Sequence, residues 1–205
     1  MLENRILHRS HSHTLRHFLS VFDILIRDFF RHALNRLQPR LRLTSPSEGD
    51  IDVTLLLGEA RRAPLTVQLD APVDEVWAVI RDFNGHDRWH PAVNDSVVER
   101  NRSSDEVGCV RRFHLVDGSE LREQLLTLSD MEMTFSYCLL DTPVPLFNYV
   151  AHARLLPVTD GNRTFWQWDS TFDTRAGEEQ QMAKMVGDDI YGAGFEAIRQ
   201  HLGVA

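Results

Sequence analysis

The spacing of apolar residues changes four times along this chain. Leu15, Phe18, Leu19, Phe22, Ile26, Phe29, Phe30, Ala33 and Leu37 recur at steps of three and four, which places them on one face of a helix. An amphipathic helix is therefore predicted over residues 14–38, with Arg16, Arg27, Arg31 and Arg36 largely on its other faces and Pro39 at its end. Residues 44–50, with Ser-Pro-Ser and Glu-Gly-Asp, read as an exposed linker.

From Leu65 the spacing becomes two: Leu65, Val67 and Leu69 alternate with polar neighbours and predict a strand. Pro72, Asp74 and Glu75 then mark a helix start, with Val76, Trp77, Val79 and Ile80 on its core face and an end near Phe83. A short turn through Trp89-His90-Pro91 follows. Six strand-like segments come next, at 96–100, 109–115, 120–128, 133–140, 148–156 and 164–172. Turns at Val116-Asp117-Gly118, Thr142-Pro143 and Asp160-Gly161-Asn162 separate several of them. Hops this short make hairpins, and consecutive hairpins make an antiparallel meander. Period 3.6 then returns, with Met182, Val186, Ile190, Ala193, Ala197 and Leu202 as the stripe of a long closing helix.

These elements predict an α+β fold in which a curved antiparallel sheet wraps a long C-terminal helix, with two short helices after the first strand and an N-terminal amphipathic helix. The domain organisation is 1–43 as a basic helical extension, 44–59 as a linker and 60–205 as the ligand-binding domain. One helix is too narrow to fill the concave side of such a sheet, so a cavity is expected there, and cavities of this kind are the first place to look for a ligand.

Composition narrows the classes of function. Hydrophobic residues make up 42% of the chain and charged residues 25%, which suits a soluble domain. The best apolar run, Val21 to Phe30, is interrupted by Asp23, Arg27 and Asp28 and falls short of a membrane span. The first thirty residues lack the uninterrupted apolar centre of a secretory signal, so the compartment is expected to be cytoplasmic. Cys109 and Cys138 are far apart in sequence and have no metal-like spacing. Residues 1–43 carry net +5, leaving −13 for the remainder; an acidic main domain repels nucleic acid, and that partner is set aside. The basic helix over 14–38 can dock on its own domain, pair with a second copy in a homodimer, lie on an anionic membrane surface, or serve as a targeting segment. His8, His11, His13 and His17 are read as tail histidines.

Particular words in the second half of the chain resemble the START-like helix-grip superfamily, and within it the polyketide cyclase/dehydrase-like group that includes the plant abscisic acid receptors. They are Val76-Trp77 with Asp82-Phe83, Trp89-His90-Pro91, Val107-Gly108-Cys109-Val110-Arg111, Asp117-Gly118, Arg122-Glu123-Gln124-Leu125 with Asp130, Pro145-Leu146-Phe147-Asn148-Tyr149, and Trp168 with Phe172. The match runs from Leu65 to Leu202 and rests on the order and spacing of these words. The resemblance implies that His90, Glu123 and Tyr149 meet a ligand. The chain departs from the receptor pattern in a shorter turn at Val116-Asp117-Gly118-Ser119 and in Val144 where that branch has histidine, so hormone-type gating is not carried over.

Strand alternation supplies the rest of the predicted site. Arg111, Phe113 and Leu115 share a face, as do Tyr137 and Leu139, and as do Trp166, Trp168 and Ser170. Val186 and Ile190 face them from the closing helix. Arg111 and Arg112 must point to opposite faces; an inward Arg111 needs a counter-charge, and Glu123 is the one at hand. The pair either sets strand register or anchors a ligand oxygen. His90 suits proton exchange near neutral pH or simple packing in its turn, and the large rings suit a flat ligand or a filled core. His86 and His90 stand four apart, but no third ligand lies near them in sequence, so no metal is expected. No cofactor fingerprint occurs.

Three functions follow as expectations. The first is a binding or carrier protein for a small hydrophobic or aromatic molecule. The second is a polyketide cyclase/dehydratase-type enzyme, with Arg111, His90 and Glu123 as catalytic candidates. The third is a peripheral membrane, lipid-handling protein that uses residues 14–38.

Overall fold

Seven antiparallel strands form one open sheet in the order β1-β7-β6-β5-β4-β3-β2. The structure is a computed structural model and describes residues 61–204. The helix predicted over 14–38 and the linker at 44–59 lie outside the described residues. Strand β1 (Arg61–Leu69) lies at one edge of the sheet and β2 (Val93–Val98) at the other. Pro64 inside β1 costs little because an edge strand has one side free of partners. β1 pairs with β7 (Arg163–Asp173), setting Leu65 opposite Trp168 and Val67 opposite Trp166.

Between the edges run α1 (Val73–Ile80) and α2 (His86–Trp89). Asp74 and Glu75 occupy the first turn of α1 as predicted, and the helix buries Val76, Trp77 and Ile80. It stops three residues before the predicted end. Asp82 turns the chain there: its carboxylate accepts the Asn84 N–H at 3.1 Å and its carbonyl accepts the Gly85 N–H at 2.8 Å, a local alternative to helix bonding. α1 is pinned to the sheet by Asp130, which accepts the Trp77 indole N–H at 2.9 Å and two bonds from Arg81 at 2.6 and 2.9 Å.

The meander consists of β3 (Val110–Leu115), β4 (Glu120–Ser129), β5 (Thr134–Asp141) and β6 (Phe147–Val158), ending in β7. In the β3–β4 turn Gly118 takes a φ of 86°, which glycine adopts without steric cost. β2 begins three residues earlier than predicted and gives way at Glu99–Asn101 to a 3₁₀ turn. Register shifts occur at Val93/Asp95, at Arg122/Glu123 and Leu125/Thr127, and at Phe147/Val150. Such bulges increase local twist and bend the strands that carry them, and here they help to curve the sheet around the closing helix.

That helix has three parts. α3 (Glu179–Lys184) leads into a wide π turn (Met185–Tyr191), and α4 (Gly192–Leu202) completes it. The π turn corrects one expectation. Ile190 is 37% exposed instead of facing the sheet, while Tyr191 is fully buried. The wide turn holds one residue more than an α turn, so the inward position after Val186 comes five residues later instead of four.

A candidate ligand cavity between the sheet and the α1–α2 segment

Arg111 and Glu123 stand directly opposite each other on β3 and β4, and both are buried. Arg111 Nε and Nη2 donate to Glu123 Oε2 at 2.8 and 2.5 Å, and Nη1 donates to the Phe83 carbonyl oxygen. The guanidinium also lies 4.1 Å from the centre of the Phe83 ring. Three of its five donors and one aromatic face are thus satisfied within the protein, which is what a buried cation requires. Burial pushes the Glu123 carboxyl above the usual carboxylate range, and the neighbouring Arg111 opposes that shift.

Aromatic rings build the walls. Trp166 and Trp168, two apart on β7, stack at 5.3 Å, and Tyr191 stacks on Trp168 at 4.5 Å. Phe195 meets Trp166 edge-on at 4.8 Å. The Tyr191 hydroxyl lies 2.7 Å from that of Tyr149. Burial raises the Tyr137, Tyr149 and Tyr191 phenols well above their ordinary value, so all three are neutral.

The space left between these groups is a cavity of about 20 Å³, bordered by Arg111, Tyr137, Trp166 and Trp168 and by His86 and Trp89 of α2. A roomy cavity is expected from the sequence; in the structure the Trp166, Trp168, Tyr191 and Phe195 rings fill most of that space. What remains suffices for about one water molecule.

The predicted residues fall into layers around it. Arg111, Tyr137, Trp166 and Trp168 touch the cavity. Glu123 stands behind Arg111, and Tyr149 joins through Tyr191. Phe113 is buried against the His86 ring at 5.7 Å; Leu115 and Leu139 are half-buried. Val186 is buried beneath the closing helix. His90 is buried and sits edge-on to His86 at 5.0 Å, and its Nδ1 accepts the Ala92 N–H at 3.2 Å. Burial and the Arg111 charge lower its pKa to about 4. Ile190 alone of the set points away.

Two groups are absent from the predicted set. His86 enters the sequence reading only in a spacing with His90 from which no metal is expected, yet its ring borders the cavity, and among the described residues neither ring nitrogen has a hydrogen-bond partner. Burial, then Arg111 and His90, lower its pKa well below the ordinary value. Tyr191 and Phe195 lie off the α-helical stripe that starts at Met182; a count restarted at Tyr191 finds Phe195 four residues on. The indole nitrogens of Trp166 and Trp168 likewise have no hydrogen-bond partner among the described residues. At neutral pH the site therefore offers one internal ion pair, neutral imidazoles, neutral phenols and two unused indole N–H donors.

Known proteins share this architecture. A protein from Bacillus thuringiensis is 23% identical with a TM-score of 0.62, covering 69% of this chain and 98% of its own. One from Thermobifida fusca is 26% identical with a TM-score of 0.63, covering 69% and 93%. The Zhui aromatase/cyclase of a Streptomyces species is 20% identical with a TM-score of 0.57, covering 68% and 92%. No curated protein matches the sequence. The family model described as polyketide cyclase / dehydrase and lipid transport matches residues 61–203, and the chain belongs to that family.

Proposed function

We propose that this chain binds a flat, oxygen-bearing, largely apolar small molecule in the cavity between the sheet and the α1–α2 segment and acts as a binding or carrier protein. The observation that carries this reading is that Trp166, Trp168 and His86, whose buried ring nitrogens have no hydrogen-bond partner among the described residues, all line one cavity beside Arg111. A buried donor without a partner costs about 1–3 kcal/mol, and native folds keep few of them. Ligand oxygens would accept from the indoles, and a planar ring system would stack among the same aromatic side chains.

Native mass spectrometry of the protein purified from its own host tests this. A stoichiometric adduct in the range of a small organic compound is expected, and the bare chain alone in gentle conditions would count against the proposal. Ligand pockets commonly measure about 300–1,000 Å³, so the molecule must displace side chains that now fill the space.

A second reading, a cyclase or dehydratase, is favoured by the His86 imidazole, which is held neutral with no hydrogen-bond partner at either nitrogen. A neutral imidazole can take a proton from the carbon between two ketones, a free Arg111 N–H would steady the enolate oxygen, and the imidazolium would return the proton to the alkoxide left when the enolate carbon adds to another carbonyl of the same chain. If this reading holds, His86→Ala and Arg111→Lys each lower turnover of the captured compound at least tenfold. Unchanged turnover in both variants sinks it.

A further inference from the structure

Packing accounts for one of the three glycines in the closing helix and leaves two unexplained. A Cβ on Gly194 would lie 2.8 Å from Trp168 Cζ3, so glycine is needed there for close approach. Gly187 is also buried, yet a Cβ on it would meet nothing within 4 Å, and at Gly192 the nearest atom is the Gly187 carbonyl oxygen at 4.0 Å. Without a steric demand, the effect of glycine in a helix is to weaken it relative to alanine. These two glycines bracket the wide turn, and the Gly192 N–H donates to the Gly187 carbonyl.

A π turn is an α-helix holding one extra residue, and that residue can sit in either of two successive turns. In the structure it lies between Val186 and Tyr191, five positions apart. Moved one turn onward, it would lie between Ile190 and Phe195, also five apart, with Gly192 and Gly194 inside the span. Val186 and Phe195 keep their inward places in both registers. Only the residue between them changes: Tyr191 faces the sheet in the first and Ile190 in the second.

We infer that residues 185–195 are a two-register switch, in which the observed register covers the face of Trp168, a wall of the cavity, with Tyr191 and the alternative, with Ile190 inward, frees that face for a ligand. This rests on the reading of the cavity as a ligand site and gives that site its route of access. A ligand that stacks on Trp168 binds only the open register and shifts the population toward it. The tie from Tyr191 to Tyr149 and its stack on Trp168 hold the closed register.

Deleting the exposed Asp188 removes the extra residue, leaves Tyr191 four positions after Val186, and so locks Tyr191 over Trp168. The probe is 8-anilinonaphthalene-1-sulfonate. The wild-type chain should take it up in a slow phase whose rate levels off with dye concentration; the deletion slows uptake at least tenfold, and Tyr191→Ala abolishes the slow phase. Hydrogen exchange tests the switch without dye. Amides of 188–192 should exchange at least tenfold faster than those of 195–199 in the wild-type chain, and the gap should close in the deletion. Equal protection of the two stretches in the wild-type chain overturns the switch, and so do equal uptake rates with and without Asp188. Absence of bound dye in all three proteins, Tyr191→Ala included, overturns the ligand site instead, and the exchange data then decide the switch by themselves.

Discussion

Arg111 shows how much a single residue can disclose through its neighbours on a strand. Two adjacent arginines there must face opposite ways, and an inward guanidinium needs an anion, which points to Glu123. The two side chains do meet, at 2.5 and 2.8 Å. The Phe83 carbonyl and ring, 28 positions away, complete the arrangement, and no reading of the strands finds them, because nothing in sequence spacing tells which backbone oxygen a crossover segment will present. Removing one member of a buried pair strands the other's charge, at about 3–5 kcal/mol. Glu123→Leu should therefore lower the unfolding free energy in urea by that order, and Arg111→Met combined with Glu123→Leu should recover most of it. A double variant as unstable as the sum of the two single ones would mean that the side chains do not act as a pair. Trp168→Phe probes a different property, keeping a stacking ring and deleting the N–H donor. Affinity for the molecule captured from the host should fall about tenfold, the worth of one hydrogen bond, while stability stays within about 1 kcal/mol of wild type. Unchanged affinity would exclude that indole as a ligand donor.

The elements were legible where one periodicity governed them and illegible where a local event broke it. The strands of the meander fall within a few residues of their predicted bounds because alternation and turn residues agreed. α1 ended early at the Asp82 turn, where the side chain and carbonyl offered the backbone other partners. The closing helix misled at Ile190 because a count in steps of 3.6 carries no signal for an inserted residue. Glycine gave the better clue, and its three positions are not alike. Gly194→Ala drives a methyl into Trp168, whose ring is held between Trp166 and Tyr191 and cannot retreat. Overpacking of this kind costs about 1–3 kcal/mol, partly offset by roughly 1 kcal/mol of helix propensity. Gly187→Ala meets open space and keeps only the favourable part. Chemical unfolding should therefore give opposite signs for the two variants, a loss on the order of 1 kcal/mol at 194 and a gain of up to about 1 kcal/mol at 187. The same sign at both positions would contradict the packing described.

At the scale of the molecule, the order of elements was enough to predict a sheet closed over a helix, because each short connection left few arrangements open. It could not foresee how fully the rings would occupy the space, since that depends on rotamers. Such filling has an electrostatic consequence that spans the fold. His90 is buried beside Arg111 and its pKa falls from 6.5 to about 4; His86 is shifted the same way by burial, Arg111 and His90. Below pH 6.5 the unfolded chain binds protons that the native chain refuses, so stability is full above that pH and is lost as the pH falls toward 4. For His90 alone the loss is roughly 3 kcal/mol, at about 1.4 kcal/mol for each tenfold change in proton affinity. Glu123 works in the other direction, because its raised pKa lets the native state bind a proton before the unfolded chain does. Asp130, held at about 2 by Arg81 and Trp77, contributes above its unfolded value of 3.8 and is lost only as the pH falls through 2. Between pH 6.5 and 4.5 the two buried histidines lower stability as acid is added, and His114, raised by Asp95, acts against them. Urea unfolding across that interval should show stability falling with acid at a slope of more than one proton, and His90→Gln should reduce the slope by about one. A flat profile in the wild-type protein would show that these imidazoles are not sealed from water and that the cavity wall at α2 stands open.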